Sequence, residues 1–346
     1  MTLCPDAGPP ALLLARATFD APTLARRHPP RFTDGNKQLI HAIACPEDTV
    51  PKGTLEVSRW RAQALPPLVP AGAVTFVARP GIYDYPPAEP GTVAWHLNFA
   101  DAQLFYAYGS GLFAQDEMQV AEHPILASLR ESLLAEPVGQ LAPLTTEDEN
   151  SLRVGASSVA VATPVLVMGA ERSCAIVTSR GGRSIYGNAM HRAHPDLIRD
   201  LVTRLDPPTL THVLAIEALP GGSGRYGPDE ISRVTMTATA GFWAARQESH
   251  RVAGAAARVV IHTGHWGCGA YGGNQRLMAL LQLLSARLAQ IDQLVFHCFD
   301  PAGAAAYEDA LRHFNALVPD GAAPPLRDVL SQIDELGFRW GSSDGN

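Results

Sequence analysis

One glycine-rich segment of this sequence has the composition of a phosphate-binding loop. Residues 263–273 read Thr-Gly-His-Trp-Gly-Cys-Gly-Ala-Tyr-Gly-Gly, which places five glycines in the ten residues from 264 to 273. Glycine permits positive φ and close approach of the backbone to a ligand, and successive amide N–H groups beside a helix N-terminus form an anion-binding nest. The pattern predicts a diphosphate or phosphate site, and a tight turn between a strand and a helix is the alternative.

A second segment, residues 109–117, brings two adjacent carboxylates to the expected start of a helix. It reads Gly-Ser-Gly-Leu-Phe-Ala-Gln-Asp-Glu and ends in Asp116 and Glu117. Adjacent side chains on a helix point in different directions, so at most one of the two is expected to face a cleft. A protonated carboxylic acid can assist a leaving oxygen and then activate water. The alternative is an ordinary pair of acids that favours a helix N-terminus.

The other reactive side chains do not form a recognisable site. Cys268 lies in the glycine-rich loop without an evident activating base, so a nucleophilic role is disfavoured. Five histidines lie on separate predicted elements without the spacing of metal ligands: His123, His191, His194, His262 and His265. Neither a metal nor a cofactor is predicted.

Alternating patterns of strands and helices surround these segments and predict an α/β sandwich. Strands are expected at 73–78, 93–99, 158–168, 174–178, 211–217, 259–263 and 293–299, and helices at 117–134, 228–249, 274–290, 301–317 and 326–336. Short helical patterns at Ala11–Ala17 and Asn36–Ala44 precede them. Residues 1–66 are therefore predicted to be an accessory helical region, and residues 67–346 the main domain.

The composition is typical of a folded protein and disfavours two other classes, nucleic-acid-binding and secreted proteins. Of the 346 residues, 46% are hydrophobic and 18% are charged, which is typical of a chain that folds. A formal charge of −7 disfavours a broad basic surface for nucleic acid. The apolar run at residues 11–15 is too short for the core of a signal peptide. We expect a cytoplasmic protein without a membrane segment or an evident obligate protein partner.

Three motifs resemble those of poly(ADP-ribose) glycohydrolases. The loop at 263–273, followed by Arg276-Leu and Gln282, is similar to the diphosphate loop of that family. Gln115-Asp-Glu117 resembles the family's Gln-Glu-Glu, and Asn98-Phe-Ala-Asp101 resembles the segment ahead of it. The similarity spans roughly residues 90–305. It implies a macrodomain-like three-layer sandwich with a mixed central sheet and an N-terminal helical extension.

The resemblance also implies an activity linked to NAD metabolism and a set of site residues. The activity is hydrolysis of an O-glycosidic ribose bond in poly(ADP-ribose) or in an ADP-ribosylated acceptor. Glu117 corresponds to the catalytic acid, and Asp116 would polarise or position the reacting groups. Loop amides would hold the diphosphate, and Tyr271 would help to place the distal ribose. The implied ligand-binding residues are Asn98, Asp101, Gly109, Gly111, Gln115, Asn188, Gly264, Trp266, Gly267, Cys268, Gly269, Ala270, Tyr271 and Phe299.

The chain departs from the family pattern ahead of the acid pair. Where the family carries Gly-Gly-Gly, this sequence has Phe105-Tyr106-Ala107, whose side chains are expected to enter the ligand space. Asn188 stands where animal enzymes carry a tyrosine, and Tyr186 could substitute for it. Two further functions therefore remain open: a glycosidase that processes an NAD-derived dinucleotide or small nucleotide, and a non-catalytic module that binds ADP-ribose.

Overall fold

One eight-stranded sheet organises the protein. The computed structural model describes residues 12–47, 49–147 and 162–345. The strands are β1 (Leu13–Asp20), β2 (Thr54–Trp60), β3 (Thr75–Pro80), β4 (Thr92–Ala100), β5 (Val165–Ile176), β6 (Ser179–Arg180), β7 (Arg183–Ser184), β8 (Val202–Glu217), β9 (Arg258–Thr263) and β10 (Gln293–Cys298). Their order in the main sheet is β1-β2-β5-β8-β4-β9-β10-β3, and β6 and β7 form a separate hairpin.

The sheet is mixed, as the sequence predicts. Strands β8, β4, β9, β10 and β3 run parallel to one another, whereas β1, β2, β5 and β8 pair antiparallel. The parallel strands therefore end at one common edge. Ligands of open α/β sheets bind at the carboxyl ends of parallel strands, so this edge is where a site is expected.

Helices cover both faces of the sheet and complete a three-layer sandwich. They are α1 (Ala21–Arg27), α2 (Gly35–Ala44), α3 (Gln115–Glu122), α4 (Pro124–Ala135), α5 (Ala189–Arg192), α6 (Pro195–Leu201), α7 (Pro228–Ala253), α8 (Gln275–Ala289), α9 (Pro301–Leu317) and α10 (Leu326–Glu335). Helices α7 to α10 bury their apolar sides against Trp95, Ile261 and Phe296 on one face. Helices α1 and α4 pack on Val167 and Val213 on the other. The predicted fold class is confirmed.

Three of the predicted elements are divided differently in the structure. The helix expected over 117–134 is two helices, because Pro124 begins α4 and the residue before a proline avoids helical geometry. His123 accordingly has φ −122° and ψ 71°. The strands expected at 158–168 and 174–178 form one strand, β5, whose register shifts near Gly169, a residue with φ +79°. Residues 158–161 lie outside the described ranges.

The N-terminal region contributes strands as well as helices. The helix predicted over Ala11–Ala17 is wrong from Leu13 onward, because these residues pair with β2 as the strand β1. Ala11 lies outside the described ranges. The helix predicted at Asn36–Ala44 is confirmed as α2. The domain boundary after residue 66 stays a prediction. Among the described residues, no helix is both long enough and apolar enough to span a membrane.

A row of buried histidines crosses the parallel part of the sheet. The rings of His96 on β4 and His262 on β9 stack with centroids 4.4 Å apart, and His262 Nδ1 lies 3.1 Å from His297 Nε2 on β10. Burial lowers the pKa of His262 and of His297 to about 4 and that of His96 well below its usual value. The neutral imidazoles are therefore the folded form.

This row makes the fold sensitive to acid. A histidine whose pKa is lower in the folded state contributes stability that is present above the unfolded pKa of about 6.5 and is lost as the pH falls below it. Carboxyl groups with a raised pKa make stability change with pH in the opposite direction. The contribution of one histidine is therefore measured by comparing its variant with the wild type. We expect His96→Phe to lose less stability than the wild type between pH 7 and pH 5, by up to about 1.4 kcal/mol per pH unit. Urea unfolding at both pH values measures this, and identical losses in the two proteins would contradict it.

Candidate active site

Two side-chain amides fasten the first turn of α3 to the end of β4. Gln115 Oε1 accepts a hydrogen bond from the Phe99 amide at 2.8 Å, and Gln115 Nε2 donates to the Leu97 carbonyl at 3.0 Å. Asn98 Nδ2 donates to Asp116 Oδ1 at 3.0 Å. Gln115 thus acts as an extra backbone partner for the strand, which places the helix N-terminus at the carboxyl edge of the sheet.

The acid pair is almost entirely buried at this junction. The exposed fraction is 7% for Asp116 and 4% for Glu117. Glu117 Oε2 accepts from the Ala114 amide at 2.9 Å, so the carboxyl group caps its own helix. Burial raises the pKa of Glu117, while the charge of Lys37 and the Ala114 amide lower it. Burial and the charge of Glu117 raise the pKa of Asp116 well above its usual value.

A hydrogen bond joins the acid side of the site to the glycine-rich loop. Tyr271 donates from its hydroxyl to Asp101 Oδ2 at 3.1 Å, and Asp101 Oδ1 accepts from the Gln103 amide at 3.0 Å. Burial and the charges of Asp101 and Glu217 raise the pKa of Tyr271. The phenol is therefore a neutral donor, and the two motifs that the sequence singled out meet in space.

Glu217 is a fourth carboxyl group at this edge, and the sequence predicted it only as the last residue of a strand. It is the last residue of β8, and burial, with the charge of Asp101, raises its pKa to about 8. An acid at the carboxyl end of a predicted parallel strand was the signal that could have identified it. At neutral pH Glu217 is mostly protonated, which limits the negative charge of the site.

The glycine-rich loop is held by buried side chains beneath it. Gln282 on α8 donates from Nε2 to the Gly264 carbonyl at 3.0 Å and accepts from Thr263 Oγ1 at 2.5 Å. Trp266 is fully buried and donates from Nε1 to the Ile216 carbonyl at 3.1 Å. The Cys268 thiol lies 3.6 Å from the Trp266 carbonyl, and burial raises its pKa. The Trp266 ring is thus a packing group, and Cys268 is held as the unreactive thiol.

Close packing accounts for three glycines of the loop. Gly267 has φ +75°, and a Cβ there would lie 2.5 Å from the Ala218 Cβ. A Cβ on Gly273 would lie 2.6 Å from the Gly267 carbonyl oxygen, and one on Gly264 would lie 3.0 Å from the His297 carbonyl oxygen. The loop is therefore packed closely on itself, on the end of β8 and on β10, which pre-organises any amides that it presents.

The C-terminal strap, residues 341–345, lies across the outer side of the loop. Gly341 donates from its amide to the Gly272 carbonyl at 2.9 Å, and Asp344 donates from its amide to the Gly269 carbonyl at 3.4 Å. A Cβ on Gly269 would lie 3.1 Å from Asp344 Oδ2. Asn188 Nδ2 donates to the Gly345 carbonyl at 2.7 Å, so the strap connects the loop with the segment before α5.

The Phe105 ring does not enter the ligand space. Phe105 has φ +56°, the region that favours glycine, and its ring is fully buried in the core beneath α4. The expectation that this side chain obstructs the ligand is therefore wrong. The Tyr106 ring is exposed, with the Arg130 guanidinium 5.6 Å from its centroid.

The two glycines nearest the acid pair make close contacts within the protein. A Cβ on Gly109 would collide with the Arg31 carbonyl oxygen, and one on Gly111 would lie 2.9 Å from the His191 Cβ. The Gly109 carbonyl accepts from the amides of Thr33, at 2.9 Å, and Asp34, at 3.2 Å. Gly109 thus joins the segment before α3 to the N-terminal region, and Gly111 lets the same segment pack against α5. The role of both glycines toward a ligand stays a prediction.

Two aromatic rings face each other beyond the end of β10. The rings of Tyr186 and Phe299 are stacked with centroids 6.1 Å apart, and Phe299 is 60% exposed. Burial, with the charges of Asp344 and Glu117, raises the pKa of Tyr186 to about 12. Tyr186 therefore lies within electrostatic reach of the acid pair, and Phe299 presents a ring face that could stack on a base.

Within residues 12–47, 49–147 and 162–345, no three His, Cys, Asp or Glu side chains converge as metal ligands. The described site is therefore built from carboxyl groups, a phenol, aromatic rings and backbone amides. Such a set can donate and accept protons and can hold a polyanion through N–H dipoles.

Residues 163–305 match the family model described as poly(ADP-ribose) glycohydrolase (PARG), macro domain fold. This part of the chain, from β5 to the start of α9, is thus similar to the macro domain of that family, and the predicted resemblance and enzyme class, a glycosidase, are confirmed. The match includes the glycine-rich loop and Glu217. Asn98, Asp101, Asp116 and Glu117 lie ahead of it, so their roles stay predictions.

Solved structures of bacterial glycohydrolases are also similar to this chain. The enzyme from Thermomonospora curvata is 16% identical, with a TM-score of 0.45, and the alignment covers 80% of this chain and 97% of that one. The Deinococcus radiodurans enzyme in complex with ADP-ribose is 13% identical, with a TM-score of 0.39, and the alignment covers 87% and 94%.

Gly267→Ala tests whether the compact loop depends on glycine. Gly53 has the same φ of +75° but has no atom within 4 Å of an added Cβ, so Gly53→Ala is a matched control. We expect about 1–2 kcal/mol of destabilisation in the control from backbone strain alone. Gly267→Ala should cost about 1–3 kcal/mol more from overpacking. Equal free energies of unfolding for the two variants in urea would contradict the packing role.

Proposed function

We propose that this protein hydrolyses the O-glycosidic bond between the distal ribose of ADP-ribose and an acceptor, either a further ADP-ribose unit or an ADP-ribosylated molecule. Glu117 is the general acid and base. The observation that carries this proposal is the burial of Glu117 beside Asp116 at the carboxyl edge of the sheet, with the Asp101–Tyr271 bond joining that edge to the glycine-rich loop. We further propose a cytoplasmic enzyme of NAD metabolism that needs no protein partner.

The burial of Glu117 suits a general acid. A carboxyl group must hold its proton near neutral pH before it can give it to a leaving oxygen. Burial raises the pKa of Glu117, and the Ala114 amide fixes one carboxyl oxygen at the helix N-terminus. Asp116 accepts a hydrogen bond from Asn98, which holds this turn of α3 against the end of β4.

The proposed ligand follows the carboxyl edge of the sheet. The amides of Gly267, Gly269 and Ala270 are the candidates for the diphosphate, because those of Trp266, Cys268, Gly272 and Gly273 close turns within the loop. The adenine would stack on Phe299, and the distal ribose would lie between Tyr271 and Glu117. A diphosphate that reaches Gly269 must lie beside the Asp344 carboxylate or displace the C-terminal strap.

The reaction then requires two proton transfers at one carboxyl group. Protonated Glu117 donates its proton to the acceptor oxygen as the bond from that oxygen to the anomeric carbon of the ribose breaks. The ionised carboxylate next takes a proton from water, whose oxygen bonds to the anomeric carbon. The Glu117 carboxylate that this transfer leaves stabilises the positive charge that develops on the ribose, and Asp116, held by Asn98, positions the helix turn that carries it. The products are ADP-ribose and the acceptor alcohol, and Glu117 is again protonated.

Glu117→Gln tests this assignment. Glutamine keeps a carbonyl oxygen that can accept from Ala114 but cannot transfer a proton, so we expect hydrolysis to fall about 100- to 10,000-fold. Release of ADP-ribose from poly(ADP-ribose) and from an O-linked ADP-ribosylated protein, followed by mass spectrometry, measures the rate.

Glu248→Gln is the matched control, because Glu248 on α7 is also a buried carboxyl group away from the site. It bonds to Arg16 on β1 and to Arg251 on its own helix. It should retain the wild-type rate. Wild-type turnover that Glu117→Gln leaves unchanged would remove Glu117 from the mechanism. Tight ADP-ribose binding without turnover would favour the non-catalytic module, and turnover of NAD-derived dinucleotides alone would favour the dinucleotide glycosidase.

Phe299→Ala tests the proposed position of the base. Stacking of a base on an aromatic side chain contributes about 1–3 kcal/mol, so the affinity for ADP-ribose should fall about 5- to 150-fold. Calorimetry in the Glu117→Gln background measures binding without turnover. Leu210→Ala removes a similarly exposed apolar side chain from the middle of β8, and this variant should bind normally. An unchanged affinity in Phe299→Ala would place the base elsewhere.

A further inference from the structure

A buried lysine from the N-terminal region lies next to the acid pair. Lys37 is on α2 and is only 1% exposed. Its ammonium group donates to the Tyr108 carbonyl at 2.9 Å and lies 5.2 Å from the centroid of the Phe113 ring, just ahead of α3. The sequence indicated no chemistry in this region. Burying a cation costs free energy unless opposite charges compensate it, so negative charges are expected near Lys37.

The position of Lys37 is fixed by contacts at the start of α2. Asp34 Oδ1 accepts from the amides of Asn36 and Lys37, at 3.0 and 3.1 Å, and caps the helix. Asp34 Oδ2 lies 2.8 Å from His191 Nδ1. Asn36 Nδ2 donates to the carbonyls of Met190 and Ala193. Helix α2 is thereby clamped to α5 at one end, and Lys37 is held against the segment that precedes α3.

The charges around Lys37 match a role toward the acid pair. Burial lowers its pKa to about 8, while the charges of Glu117, Asp116 and Asp34 raise it, in that order. The group is therefore largely an ammonium ion at neutral pH. The strongest electrostatic partner of the buried cation is the proposed catalytic carboxyl group itself.

We infer that Lys37 is a positioning residue of the acid pair, whose buried ammonium group, held by α2 against the Tyr108 carbonyl and the Phe113 ring just ahead of α3, controls how readily Glu117 gives up its proton. This inference rests on the proposed function of Glu117. Without the cation, the buried carboxyl group would hold its proton to higher pH. With it, Glu117 can release the proton to a leaving oxygen and stay ionised long enough to activate water.

Several other groups act on the same carboxyl groups. Asp116 on α3, Asp101 after β4 and Tyr186 before α5 lie within electrostatic reach of Glu117. Arg130 on α4 interacts with Asp116, and its guanidinium also bonds to the Leu104 carbonyl and to Gln103. Among these groups, the negative charges oppose ionisation of Glu117, and Lys37 favours it.

The pH dependence of kcat/KM in Lys37→Met and Lys37→Arg tests the inference. Methionine fills the space without charge, and arginine keeps the charge. In Lys37→Met the limb at high pH, where the general acid loses its proton, should move to higher pH, and in Lys37→Arg it should stay near the wild-type position. Arg287→Met is the matched control, because Arg287 is a buried cation on α8 that bonds to the Pro70 carbonyl, away from the site. Its profile should coincide with that of the wild type.

A second measurement separates this inference from the proposed function. Titration of the Glu117 carboxyl carbon by NMR, assigned with Glu117→Gln, reports its pKa without turnover. We expect a higher pKa in Lys37→Met than in the wild type, and Lys37→Gln gives the same comparison if the methionine variant does not fold. An unchanged Glu117 titration in the folded variant overturns the inference even if the wild type hydrolyses its substrate. A wild type without turnover overturns the proposed function, while the titration still decides the role of Lys37.

Discussion

The attachment of α3 to β4 is the constraint on which the site depends. Gln115 bonds to both the amide of Phe99 and the carbonyl of Leu97, so the helix N-terminus continues the hydrogen bonding of the strand end. This attachment buries Asp116 and Glu117 where parallel strands end. If the helix were displaced, both carboxyl groups would gain water, and the burial that raises their pKa would be lost.

Four carboxyl groups lie where an anionic ligand is proposed, and negative charges there would repel a diphosphate. The structure reduces this repulsion in two ways. Burial raises the pKa of Asp116, of Glu117 and of Glu217, the last to about 8, so Glu217 is mostly protonated at neutral pH. The positive potential for a diphosphate comes from backbone amides of a loop that its own glycines hold compact. A chain with net charge −7 can therefore hold a polyanion without a basic surface. The C-terminal strap places another carboxylate, that of Asp344, against this loop.

The sequence predicted the parts of the fold that local pattern determines. Strand and helix periodicity located β9 and α8 around the glycine-rich loop almost to the residue, and the motif at Gln115 located the acid pair. What it missed depends on tertiary contacts. The Phe105 ring turns into the core because its backbone adopts positive φ, and Lys37 reaches the acid pair only because α2 folds against α5. Neither the pairing of β1 with β2 nor the path of the strap leaves a signal in local periodicity.

The most direct test of the central claim is a crystal structure of Glu117→Gln with ADP-ribose bound. We expect the diphosphate to lie against the loop at Gly267–Ala270, with the adenine on Phe299 and the anomeric carbon of the distal ribose within contact distance of the side chain at position 117. ADP-ribose bound away from the loop would contradict the proposed mechanism, as would a distal ribose that points away from position 117.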